Sequence, residues 1–182
     1  LVLKFAVAGG GAYLYLRRYV KNIDYAVLGA VLYAFSGFTV YNVFFNHFVD
    51  VVALFPYLLW ALDEAMYNKR HGLFAFWAAV NLLNNYFFFA GQVVFLAIYF
   101  VCKLTTGDYR LTVKRFVQLA FESLLGVAMG CLLLVPAVLS LLQNPRTIDL
   151  SSGWGFLTYS KVQQYLAILV SWIMPPDSPY LT

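Results

Sequence analysis

The sequence predicts an all-α protein, a polytopic bundle of transmembrane helices with about six spans, and three observations carry that expectation. Of 182 residues, 63% are hydrophobic and only 11% are charged, where a soluble domain carries roughly a quarter. Mean hydropathy is +0.76 and the apolar segments fill nearly the whole length, so the chain needs lipid rather than water around it. Nine of the twelve basic residues fall in three clusters, at Arg17, Arg18 and Lys21, at Lys69 and Arg70, and from Lys103 through Arg110 to Lys114 and Arg115. Placing all three clusters in the cytoplasm satisfies the positive-inside rule and leaves only Lys4, Arg146 and Lys161 at or beyond the outer side. The net charge of +4 is thus a matter of loop topology, and no nucleic-acid partner is expected.

Spans follow at about 1 to 16, 25 to 45, 51 to 67, 73 to 86, 88 to 103 and 116 to 141. The first begins in an apolar run at Leu1 with no basic leader or cleavage motif, so it reads as a span, and the chain is expected to be part of a longer protein. Gly9, Gly10 and Gly11 in the first span, Ala26, Ala30 and Ala34 in the second, and Gly126 with Gly130 in the sixth suit close helix approach. The last pair serves either the bundle or a homodimer face. Pro56 and Pro136 are expected to kink the third and sixth spans. As one helix, Leu73 to Lys103 would run roughly 46 Å and carry the third basic cluster to the wrong side. A short broken hairpin over 73–103 is expected instead, hinged at Asn84, Asn85 and Ala90-Gly91-Gln92, with helices of roughly 14 to 16 residues. The bundle is expected to occupy 1–142. Residues 143–182 read as an extracytoplasmic loop, with an interfacial helix near 159–174.

Polar residues inside a span are costly, so each needs a reason. The Asn46-His47-Phe48-Val49-Asp50 turn puts an amide, an imidazole and a carboxylate at the outer ends of spans two and three. Asp50 either caps the third helix or faces an outer cavity as a general base, a metal ligand or a partner for sugar hydroxyls. Lys4 either snorkels to the outer interface, or holds a lipid phosphate or pairs with a catalytic carboxylate. Asn81, Asn84, Asn85 and Tyr86 line the fourth span and its hinge, as interhelical glue or as a pocket wall. Asp63, Glu64 and Glu122 lie near the cytoplasmic ends, where Lys69, Arg70, Lys114 and Arg115 are the expected partners. Cys102 and Cys131 sit in apolar runs and suit neither a disulfide nor a metal. Walker, dinucleotide, HExxH, CxxC and GxSxG patterns do not occur, so the corresponding enzyme classes have no residues to rest on.

The order of several short segments carries more than any one of them. Leu3-Lys4-Phe5-Ala6-Val7-Ala8-Gly9, Tyr13 to Arg18, Ala34-Phe35-Ser36-Gly37, His47 to Asp50, Phe55-Pro56, Leu62-Asp63-Glu64, the Asn84-Asn85-Tyr86-Phe87-Phe88 hinge and Leu133 to Pro136 together resemble the YfhO family of bacterial membrane proteins. The Phe-rich continuation after Tyr86 departs from the Tyr- and Gly-containing segment of that family. The resemblance implies a multi-pass protein of the bacterial cell membrane and a glycosyltransferase of the GT-C type. Its donor would be a polyprenyl-phosphate-linked sugar and its acceptor a cell-wall polymer such as lipoteichoic acid, with no cofactor expected and no metal indicated. The principal acid of such a fold would precede Leu1. Asp50 and His47 are then the candidate catalytic residues of this portion, and Lys4, Asn46, Asn84, Asn85 and Tyr86 the candidate substrate contacts. A polytopic transporter or lipid flippase is the alternative, since a broken span with amides is also how transporters build a site.

Overall fold

The computed structural model describes residues 1–110 and 112–142. The loop and interfacial helix expected over 143–182 lie outside the described residues. Seven α-helices follow one another, α1 (Val2–Leu16), α2 (Ile23–Ala34), α3 (Gly37–Tyr41), α4 (Asn46–Asp63), α5 (Leu73–Asn84), α6 (Tyr86–Thr105) and α7 (Val113–Leu142), with one π-helical turn (Glu64–Asn68) after α4. The described part of the compact unit Leu1–Leu139 is all-helical.

Two segments, Ile23–Tyr41 and Tyr86–Thr105, are by themselves long and apolar enough to cross a membrane, and α7 adds a third if its bent halves count as one. Val2–Leu16 and Leu73–Asn84 are shorter apolar helices. Length and composition therefore account for two or three crossings, and the expected six are not reached on that criterion. Large exposed side chains such as Val2, Phe44 and Phe87 suit a lipid-facing surface.

Local chemistry explains the breaks. Asn22 caps α2 by accepting from the Asp24 amide at 2.8 Å, and Asp24 sits in the favourable first turn. The second expected span is broken at Phe35 and Ser36, where Ser36 leaves helical geometry before α3 starts. The hairpin hinge lies at Asn85 alone, extended at φ −158° and ψ 97°, where its side chain accepts from the Phe88 amide and caps α6. Ala90, Gly91 and Gln92 are not part of it; they lie inside α6, which runs 20 residues, while α5 has 12. At about 1.5 Å per residue α6 reaches roughly 30 Å, so the shortfall expected for two equal helices falls on α5 alone. Gly107, at φ 77°, closes α6 by donating its backbone N–H to the Leu104 carbonyl.

α1 packs between α2 and α4 through the small residues the sequence pointed to. A methyl group on Gly9 would meet Ala34 Cβ at 3.8 Å, and one on Gly11 would fall 2.6 Å from the Tyr57 ring. Ala26, Ala30 and Ala34 are all buried, and the Tyr57 hydroxyl donates to the Val7 carbonyl at 3.1 Å. Gly126 and Gly130 are used inside the chain, against Ala75, Ala78 and Leu82 of α5. That assigns the pair to bundle packing.

Pro56 lies inside α4 and has no amide hydrogen for the Val52 carbonyl one turn back. The Tyr33 hydroxyl of α2 donates to that carbonyl at 2.8 Å, which ties the kink to the neighbouring helix. Tyr33→Phe is expected to lower thermal stability by about 1 kcal/mol, and an unchanged melting curve in detergent would show that the freed carbonyl needs no partner. Pro136 acts likewise in α7, where Val113–Cys131 and Leu134–Ser140 meet at 69°.

Candidate functional site

Opposite ends of the bundle carry different chemistry. α1 has Lys4 at one end and Arg18 just past the other, while α4 has Asn46 and Asp50 at its start and Asp63 at its end. The three basic clusters meet at the second end, in agreement with the charge rule.

At the first end, Lys4 Nζ lies 2.8 Å from Asp50 Oδ1 and 2.9 Å from Oδ2, and also donates to the Asn46 carbonyl at 3.3 Å. About 30% of the lysine side chain and 32% of the aspartate remain accessible, so an incoming group can reach both. Asp50 does not cap α4: the helix begins at Asn46 with Phe45 as its N-cap, and Asp50 stands one turn inside. The segment expected as a connecting turn is thus helical, which aims Asp50 sideways at α1. Asn46 contributes its backbone carbonyl to the pair. His47 is exposed and packs its ring against Phe48, centroids 4.4 Å apart, and Phe45 at 6.2 Å; it makes no ion pair with Asp50.

The α5–α6 hinge reaches this end through Phe48 and Phe88, whose rings meet edge to face at 5.1 Å. Asn84 and Tyr86 are exposed there, and Asn85 is spent on its cap. No hydrogen bond joins Asn84, Asn85 or Tyr86 to the Lys4–Asp50 pair among the described residues. Asn81 is buried, donating to the Trp77 and Leu54 carbonyls at 2.9 and 3.4 Å, so it joins α5 to α4. No group of three or more His, Cys, Asp or Glu that could hold a metal ion occurs among the described residues. Cys102 is exposed, and both cysteines are free thiols.

The second end holds a network that the sequence reading did not assemble. Asp63 is fully buried; it accepts from the Tyr19 hydroxyl at 2.6 Å, from Tyr99 at 3.1 Å and from Tyr109, with Arg18 Nε 3.8 Å away. Glu64 pairs with Arg18, with Arg70 at 3.3 Å and with the Asn68 amide at 2.9 Å. The Tyr15 hydroxyl adds a bond to Tyr99 at 3.0 Å, while Lys103 lies 4.4 Å over the Tyr19 ring and pairs with Asp108. Of the four expected cations only Arg70 reaches Glu64, because Arg18 and the tyrosines stand closer to the end of α4. Glu122 is likewise not matched to Lys114 or Arg115; it accepts from Gln118 at 3.0 Å and lies 3.9 Å from His71 Nδ1. Burial, and then the hydrogen bond to Asp63, push the Tyr19 and Tyr109 phenols well above their ordinary value of 10.0. Both therefore remain donors at neutral pH. Asp63 and Glu64 stood out in the sequence as acids in need of partners, but nothing in the spacing of Tyr15 and Tyr19 beside Arg18 joins them to those acids.

The family described as bacterial membrane protein YfhO matches residues 1–167. No curated protein and no solved structure matches.

Proposed function

The chain belongs to the YfhO family of bacterial membrane proteins, and from that membership we propose that it forms part of a membrane glycosyltransferase acting on the outer face. The donor is a polyprenyl-phosphate-linked sugar and the acceptor a cell-wall polymer such as lipoteichoic acid. The observation that supports this reading is the accessible pair of Lys4 and Asp50, a cation and a carboxylate bridged at 2.8 Å at the end of the bundle opposite the basic loops.

Glycosyl transfer needs both charges. As the acceptor oxygen bonds to the anomeric carbon, its proton passes to the Asp50 carboxylate, and the bond from that carbon to the donor phosphate breaks. The leaving phosphate takes the electron pair beside the Lys4 ammonium, which stabilises the growing charge. His47, on the same helical turn as Asn46, is the second candidate for proton transfer. Asn46 holds Lys4 through its carbonyl, and Asn84, Asn85 and Tyr86 are the proposed sugar contacts.

The test is mass analysis of extracted wall polymer from a deletion strain that carries the full-length protein. Asp50→Asn is expected to cut glycosylation about a hundredfold or more at an unchanged membrane level, the usual weight of a general base. Lys4→Met is expected to lower it as well, while Lys4→Arg keeps part of it. Normal modification in the Asp50 variant would remove that residue from the mechanism. No sugar even with the native protein present would turn the reading towards a transporter or flippase.

A further inference from the structure

An apolar groove of about 340 Å³ opens between α5, α6 and α7. Its walls include Phe74 of α5, Phe100 of α6, and Phe116, Leu119 and Val127 of α7. The one hydroxyl in the lining, that of Ser123, donates to the Leu119 carbonyl of its own helix at 2.8 Å, so its one donor is already used. From Phe116 to Val127 the wall rises roughly 16 Å, about half of a 30 Å hydrocarbon core. The groove therefore matches the depth of a single leaflet. It runs away from the end of the bundle that carries the basic loops.

Three cations lie in the chain just before the residue of α7 at which the groove begins. Lys114 and Arg115 directly precede Phe116, and Arg115 Nη1 donates to the carbonyl of Arg110 at 3.0 Å, which draws the loop onto the first turn of α7. None of these three cations has a carboxylate partner among the described residues, whereas Lys103 is neutralised by Asp108 and Arg70 by Glu64. Three uncompensated positive charges over an apolar slot one leaflet deep complement a single molecule class: an anion with a hydrocarbon tail.

We propose that this groove binds an anionic glycerophospholipid of the cytoplasmic leaflet, with one acyl chain between α6 and α7 and the phosphate at Arg110, Lys114 and Arg115. The bound lipid fills the gap beside α7, the helix held to α5 by Gly126 and Gly130. It stands apart from Lys4 and Asp50, so it needs no sugar chemistry to be true.

The full-length protein is reconstituted in mixed phosphatidylglycerol and phosphatidylcholine, extracted, and weighed intact by mass spectrometry to identify the retained lipid. In parallel, phosphatidylglycerol carrying a photoreactive group on its acyl chain is crosslinked to the native protein and the labelled peptides are mapped. Retention of phosphatidylglycerol over phosphatidylcholine, with labels within 93–100 and 116–127, is the expected result. Lys114→Gln with Arg115→Gln, both on a solvated turn, is expected to weaken phosphatidylglycerol retention about thirtyfold and leave phosphatidylcholine unchanged. Ala120→Trp, which fills the groove, is expected to remove the labels. Equal retention of the two lipids, labels confined to other helices, or a double variant that retains phosphatidylglycerol normally would each overturn the proposal. A groove covered by protein rather than by lipid would give the second of those results.

Discussion

Asp63→Ala is expected to loosen the basic end of the bundle and to lower stability by about 3 to 5 kcal/mol, the range for removing one partner of a buried charge cluster. The carboxylate is fully buried and takes hydrogen bonds from Tyr19, Tyr99 and Tyr109, which come from the turn after α1, from α6 and from the loop before α7. Its loss takes the shared acceptor from three hydroxyls at one stroke and removes a negative charge beside Arg18, whose guanidinium keeps Glu64. Asp63→Asn keeps an acceptor and is expected to cost less. Thermal unfolding in detergent, followed by Trp60 and Trp77 fluorescence, reads the difference, and an Asp63→Ala protein that melts with the native one would show the network to be idle.

The same network predicts a pH dependence. Phenols raised above 10.0 in the folded state favour its protonated form, so their contribution is complete below that value and is lost as pH rises beyond it. The stability difference between native protein and Tyr109→Phe should therefore stay constant from pH 6 to about 9 and shrink only in stronger alkali. A difference that changes near neutrality would point to some other titrating group.

Gly126→Leu is expected to be the most damaging change among the glycines. A methyl there would lie 2.8 Å from the Ala75 carbonyl oxygen and 2.8 Å from Ala78 Cβ, and backbone cannot turn aside as a side chain can. Overpacking of this kind costs about 1 to 3 kcal/mol or more, and α7 has few other close approaches to α5. Gly91→Ala is the control, since open space surrounds that position and alanine is the better helix former by about 1 kcal/mol. Lower melting with unchanged particle mass in Gly126→Leu is the expected pattern. A loss of dimer at unchanged melting would restore the homodimer reading of the glycine pair.

Much of this arrangement was legible beforehand. Hydropathy and charge are sums over neighbouring residues, so the membrane class, the helices and the segregation of basic loops needed no tertiary information. The small-residue stripes were equally readable, because four-residue spacing places Ala26, Ala30 and Ala34 on one helix face in any surroundings. Asp50 and Lys4 stood out because each is an isolated charge in an apolar segment, although their meeting depends on α1 crossing α4 at the right height.

The hinge was misjudged where two local signals competed. Gly91 marks a permissive position, but breaking a helix there would strand backbone hydrogen-bonding groups, whereas Asn85 offered a cap that α6 could use and Gly91 offered none. Arg70 does pair with Glu64 as expected, but the other partners of Asp63, Glu64 and Glu122 differ for another reason. Nearness along the chain suggested Lys114 and Arg115, yet partner choice depends on which helix faces meet. Arg18 and three tyrosines from distant segments converge on the end of α4, because α1 and α6 both pass there.

By itself, then, the sequence determined the solvent of this protein, its all-helical class and the segregation of its basic loops, since each follows from local composition and period. The tertiary structure alone decided that Lys4 faces Asp50, that Asp63 is held by hydroxyls rather than by lysines, and that Gly126 serves α5. Those outcomes depend on helix crossing and rotation, which are set by packing over the whole bundle and leave no trace in the spacing of any one segment.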